Sequence, residues 1–439
     1  MPLVNLYFSN YKIHRPNLKN QMIIDKDRLI ELLNHQDARV RNACVHALEK
    51  YFPGSHGIIE HLLKAIKQYP DDCVSLVAGI KYFTPTQNDV REIVSIINTT
   101  DRNQDENSTN IYFHLTRSLS AFPFDVLAEN QNIFLFNKEL SKIYELAQNR
   151  EEFKQQDPNY LWNELVGLCN RCQKKQIEGE DSQYGQLLIE GLSQQGDKIQ
   201  SKIIMLLSQE KPDNYHLNEY MVNLAGKLRL NAAVPFLFRI LRESEFSHTV
   251  HSQCIRALGN IGTQEVIAGI ANLYYSNKQL RTAFADILKY IPYDYSEDLA
   301  IQLIKEEQDL SDKTFLACAL CDIFSLKAAA IIKDMIKMRR YDSQITSLVD
   351  DLIPVYAYHK ESFDDLLALE TVAKRYELEQ QKNDPLFQMG QQLKEHLDLQ
   401  RPLEKETQES KSSSNRKVEN VISLKRARNK RKRERKKKK

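Results

Sequence analysis

An all-α fold, a solenoid of stacked helix pairs, is predicted by three observations. From Ile24 into the 370s, apolar residues recur at i, i+3, i+4 and i+7 in runs of about 12 to 16 residues separated by short turns. Period-2 alternation of the kind that marks β-strands is absent. One segment recurs along the chain at shifts of 30 to 33 residues, the length of two helices with their turns.

The first unit sets the pattern. Leu29, Ile30, Leu32 and Leu33 define one helix, Asn34 to Asp37 a turn, and Val40, Ala43, Cys44, Ala47, Leu48 and Tyr51 the buried stripe of a second helix that Pro53-Gly54 stops. Two helices of this size cannot bury both apolar faces alone, so neighbours must stack on them. The segment from Val250 to Gly262 recurs as Leu280 to Pro292, and it resembles Val40 to Phe52. Leu224 to Leu237 matches the stretch beginning at Ala257, and Ala319-Leu320 echoes it again. Polar stretches at Thr100 to Asn110, Gln148 to Tyr160 and Gln173 to Gln183 lack an apolar period and are expected to be surface loops. The organisation that follows is an N-terminal segment 1–24, irregular repeats 25–210, regular repeats 211–381 ending in a polar capping helix near 362–381, a linker 382–423 and a polybasic tail 424–439. Roughly eight or nine helix pairs are expected.

Composition narrows the function classes. The chain has 439 residues, of which 42% are hydrophobic and only 13 are Gly, and it contains neither G-x-G-x-x-G nor G-x-x-x-x-G-K-[ST]. Nucleotide-binding α/β folds, whose strand-to-helix turns consume glycines, are therefore not expected. Seven cysteines, an odd number without regular spacing, point to a reducing compartment. No stretch approaches 18 uninterrupted apolar residues and no signal-peptide pattern opens the chain, so a cytoplasmic protein without a membrane span is expected.

The net charge of +2 conceals a split. From Lys411 onward there are 15 Lys and Arg against two acids, a net of +13, which leaves −11 on residues 1–410. Lys425, Arg426, Arg428, Lys430, Arg431, Lys432, Arg433, Arg435, Lys436, Lys437, Lys438 and Lys439 form a run that would attract polyanions such as RNA, DNA or a ribonucleoprotein. No aromatic residue lies beyond Ser410, so the run offers no stacking platform, and binding is expected to ignore base sequence. In a nucleated cell the same run would serve as a nuclear localisation signal. A solvated tail that aids solubility is the plainer reading.

Catalytic and metal chemistry find no footing in the pattern. Cys169/Cys172 and Cys318/Cys321 lack zinc-ribbon spacing, and the second pair sits among small apolar residues that suit core packing. His248 and His251 could meet on one helical face, without a third ligand at regular spacing. G-x-S-x-G is absent. No catalytic residue, metal or cofactor is assigned.

Two motifs resemble a known family. Asp37-x-x-Val40-Arg41 with Ala47-Leu48, and Leu228-Arg-Leu-Asn-Ala-Ala-Val-Pro-Phe-Leu237, are similar to HEAT repeats of the short, bacterial, phycobilisome-lyase-like type. The resemblance is carried by 217–325 and 25–85 and least by 86–210. It implies a right-handed α-solenoid that acts as a non-enzymatic, monomeric scaffold for a protein or peptide partner. Phycobilisome-lyase-like repeats also occur in chromophore-attaching enzymes, although nothing in the sequence marks a bilin pocket. HEAT-repeat hydroxylases bind iron through His-Glu pairs, and this chain has no His-Glu dipeptide. In such solenoids second helices line the concave surface, so residues that stack on them form a binding ladder. Repeat alignment places Asn223, Arg256 and Asp286 at one equivalent position and Lys227, Asn260 and Tyr290 at another, and these six are the candidate partner-binding residues.

Overall fold

A computed structural model describes residues 21–383, apart from 102–103, 136, 174–176, 210–213, 244–247 and 363. The polybasic tail and the linker from residue 384 onward lie outside the described residues, as does most of the N-terminal segment.

The helices come in successive pairs. The first three are α1 (Lys26–Leu32) with α2 (Ala38–Tyr51), α3 (Ile58–Gln68) with α4 (Val74–Gly79), and α5 (Gln87–Thr99) with α6 (Glu106–Ala121). In the fourth, two short helices, α7 (Phe124–Ala128) and α8 (Gln131–Leu135), precede α9 (Lys138–Lys154). Then follow α10 (Pro158–Arg171) with α11 (Gly179–Gln194), α12 (Gln200–Leu207) with α13 (Tyr215–Lys227), and α14 (Val234–Arg242) with α15 (His248–Ile261). The last three are α16 (Gln264–Leu273) with α17 (Arg281–Leu288), α18 (Asp294–Glu306) with α19 (Leu310–Asp322), and α20 (Leu326–Lys337) with α21 (Leu348–His359). A final helix, α22 (Asp364–Asn383), stands outside the pairing. The pairs thus outnumber the eight or nine expected, because the polar stretches of the first half conceal helix. No strand occurs among the described residues, only isolated bridges of Met22 with Tyr293 and of His56 with Thr84.

Local chemistry explains where these helices start. Asp25, Asp37, Asp105, Asn137, Asp157, Asn214, Asp309 and Ser325 each accept a hydrogen bond from the free amides of the following first turn. Thr86 and Asp89 form a reciprocal capping box ahead of α5. Each of the three stretches expected as loops is in part helical, two of them through these caps. Asp105 opens α6 at Glu106, α9 continues to Lys154, Asp157 opens α10 at Pro158, and α11 begins at Gly179. Glu, Gln, Lys and Arg are good helix formers, so a capped helix extends past its apolar stripe into polar sequence.

The second helix of each pair packs on the second helix of the next. Contacts run from α2 to α4, α6, α9, α11, α13, α15, α17, α19 and α21 in turn. The buried stripe of α15, Val250, Cys254, Ala257, Leu258 and Ile261, is the one its sequence predicts. Close approach along this ladder requires small residues: a Cβ on Gly226 of α13 would lie 2.6 Å from the Cα of Ala257 on α15, and one on Gly259 would lie 2.5 Å from the Cβ of Tyr290. These glycines are 33 residues apart and do the same job in successive repeats.

The ladder does not stop at its ends. Helix α21 packs on α2 and α1 as well as on α19, so the last pair touches the first. All of this lies in one compact unit that runs through Ala373, and the packing crosses residue 210 through α11, α12 and α13 without a break. A second unit begins at Lys374, of which only the end of α22 is described.

Candidate functional site

Five of the six candidate residues lie on consecutive second helices, with Tyr290 in the turn just past α17, and they divide into two groups. Asn223 and Lys227 are on α13, and Arg256 and Asn260 are on α15. Lys227, Arg256 and Asn260 are exposed and Asn223 is half-buried. Among the described residues no hydrogen bond or ion pair engages any of the four, while the Gln253 amide donates to Glu219 at 2.8 Å and ties the two helices together beside them. The two locked helices fix the backbone beneath these groups, so a ligand would have to order only the side chains that it meets.

Asp286 and Tyr290 occupy the next rung, at the end of α17, and both are half-buried and engaged. Lys289 Nζ donates to the Asp286 carboxylate at 2.6 Å. Burial acts to lower the Lys289 pKa, but Asp286 outweighs it and holds the ammonium above its ordinary value. Over the Tyr290 ring sits Lys50 Nζ, 5.2 Å from its centroid, which comes from the C-terminal turn of α2. Lys50 also pairs with Asp322 at 3.0 Å, and the Tyr51 hydroxyl donates to the carbonyls of Lys289 at 2.6 Å and Asp322 at 3.2 Å. Burial pushes the Tyr51 phenol well above the usual range, so it remains a hydrogen-bond donor.

This junction of α2, α17 and α19 escapes sequence reasoning. Tyr51 is legible as part of an apolar stripe, but nothing local signals partners more than 230 residues away. The outer edge of the same junction is also polar. Arg28 donates to the carbonyls of Tyr358 at 2.9 Å and Ala357 at 2.5 Å, the last turn of α21, where a cation meets the negative end of the helix dipole. The Tyr358 hydroxyl accepts the Asp25 amide at 2.6 Å, and Arg39 pairs with Asp350 at 2.6 Å.

One carboxyl nearby is perturbed. Asp351, on α21, is raised to about 6, first by burial and then by the repulsion of Asp322 and Asp350, against the lowering effect of hydrogen bonds with Thr346 and Cys318.

The cysteines are structural in their surroundings. Cys169, Cys172 and Cys321 are buried and Cys318 is half-buried. Burial raises the Cys169 thiol to about 12 and those of Cys318 and Cys321 further, which keeps them protonated and poor nucleophiles. No group of three or more His, Cys, Asp or Glu residues suited to a metal occurs among the described residues. His251 is half-buried on α15, and the side chain of His248 lies outside the described residues. Of the tyrosines around Pro292, Tyr293 and Tyr295 stack on each other with centroids 5.5 Å apart, and Tyr295 donates its hydroxyl to the Gly262 carbonyl at 2.7 Å. They serve turn packing. None of the described helices is long and apolar enough to cross a membrane.

No family model matches the chain, and no curated protein is significantly similar to it.

Proposed function

We propose that the chain is a non-enzymatic scaffold: a right-handed solenoid of HEAT-like repeats that holds a protein or peptide partner on the strip formed by Asn223, Lys227, Arg256 and Asn260. The observation that carries this reading is the row of polar side chains at equivalent positions of two adjacent second helices, without intramolecular partners among the described residues. Two cations with two amides on rigid elements suit backbone carbonyls and carboxylates of a peptide. The basic tail supplies a second, sequence-independent attachment to nucleic acid or a ribonucleoprotein. A monomer working in the cytoplasm fits both parts.

A photoreactive residue placed at Arg256 or Asn260 in the full chain, irradiated in cells, tests the strip against one placed at the exposed Lys64 on α3. Capture of one discrete partner at the strip positions, lost in K227E/R256E and absent at position 64, is expected. Equal capture at all three positions overturns the assignment.

A further inference from the structure

We propose that the first helix pair is an internal cover over the third rung of the strip, held shut by a releasable polar latch against α21, so that opening lengthens the binding surface from two rungs to three. The inference rests on the preceding reading only for what the opened rung would bind; the cover itself stands on separate observations.

The rungs at 223/227, 256/260 and 286/290 are equivalent by repeat alignment, yet only the third is engaged, Asp286 by the neighbouring Lys289 and Tyr290 by Lys50 from the opposite end of the chain. Lys50 lies over Tyr290 and reaches Asp322, while Tyr51 fills the carbonyls at the ends of α17 and α19. A segment so placed covers one side of Tyr290 and leaves it half-buried.

The cover shares the apolar packing of second helix on second helix with the other rungs and adds polar contacts to the end of the chain. Between α13 and α15 the helices meet through Gly226 against Ala257 and the hydrogen bond from Gln253 to Glu219, and between α9 and α11 Arg150 and Lys154 pair with Glu190 at 3.9 and 3.7 Å. Between the first pair and the end of the chain, Arg28 grips the Ala357 and Tyr358 carbonyls, and Arg39 pairs with Asp350 and, at 3.7 Å, Glu370. The Arg39 and Asp350 side chains remain 38% and 50% exposed, so salt screens them and their pairing is weak. The seam also joins elements with no short covalent connection. Every other rung links neighbouring pairs, which re-form locally after opening, whereas this one must regain a loop closure spanning some 300 residues. Such a contact opens before the regular rungs do.

Hydrogen exchange followed by mass spectrometry on the full chain tests this. Raising salt from about 0.05 to about 0.5 M, or the R28A/R39A substitution, should speed exchange roughly tenfold or more in peptides covering 25–51, 289–293 and 348–359, while α13 and α15 stay unchanged. The salt arm needs no variant and serves if R28A/R39A does not fold. Unchanged exchange in both arms, or acceleration spread evenly over the α13 and α15 peptides, overturns the latch. A photoreactive residue at Tyr290 should then capture the partner in R28A/R39A but not in the parent chain. Localised exchange without capture at either Tyr290 or Arg256 would leave the latch standing and defeat the strip instead.

Discussion

At the scale of single residues, charge is buried where geometry supplies partners. Arg41 has no exposed surface, and its guanidinium donates to the carbonyls of His35 at 2.8 Å and Gln36 at 3.0 Å with its centre 3.8 Å from the Tyr69 ring centroid. It satisfies the turn between α1 and α2, which would otherwise leave two inward carbonyls without donors. Asp351 is the opposite case, a carboxylate that the fold disfavours. Its folded value of about 6 lies above that of an unfolded Asp, so its favourable contribution is present near pH 4 and is lost as pH rises through 6. Asp351→Asn keeps an acceptor for Thr346 and removes the charge. It should stabilise the protein by on the order of 1 to 2 kcal/mol at pH 7 and by almost nothing near pH 4. Urea denaturation at both pH values checks this; no gain at pH 7 would mean that the carboxylate is solvated, and a gain equal at both pH values would mean that it does not come from the charge.

The element scale is governed by how closely second helices approach. Gly226→Ala places a methyl group against the backbone of Ala257, which cannot rotate away. The α13 and α15 pair must then spread, at a cost of about 1 to 3 kcal/mol despite the better helix propensity of alanine. Thermal unfolding of the variant against Gly167→Ala, where the nearest atom is a mobile Arg171 nitrogen at 3.5 Å, separates the two effects. The control should be neutral or stabilising. Much of this was legible in advance. The ends of α2 follow Asp37 and Pro53, and the α15 stripe follows its apolar period. The misread loops at 100–110 and 148–160 have a physical cause: polar helix formers carry no periodic signal, and only the cap placement at Asp105 and Asp157 marks the helix within them.

For the whole molecule, charge and closure act separately. Deleting 424–439 removes 12 of the chain's cations without touching any described helix. Fluorescence anisotropy with an RNA of arbitrary sequence should show binding by the full chain that weakens steeply between about 0.05 and 0.2 M salt, and loss of most of it on deletion. Thermal stability should remain within about 0.5 kcal/mol. Affinity that survives deletion would move nucleic-acid binding to the acidic body and contradict the division of labour. The covered third rung belongs to this scale too, because only the contact between the first and last pairs sets how much of the strip is open.

The all-α class and the helices whose apolar stripe is continuous were legible in the sequence alone, since both depend on apolar periodicity and caps within a few turns. The placement of Asn223 and Lys227 on one second helix and of Arg256 and Asn260 on the next was legible for the same reason. That Asp286 and Tyr290 are engaged rather than open was decided by the tertiary structure. Lys50 and Tyr51 meet their partners across more than 230 residues of chain. A local pattern specifies which face of a helix is buried. Where the accumulated packing of successive pairs brings the last one is a sum over every interface, and no single segment encodes it.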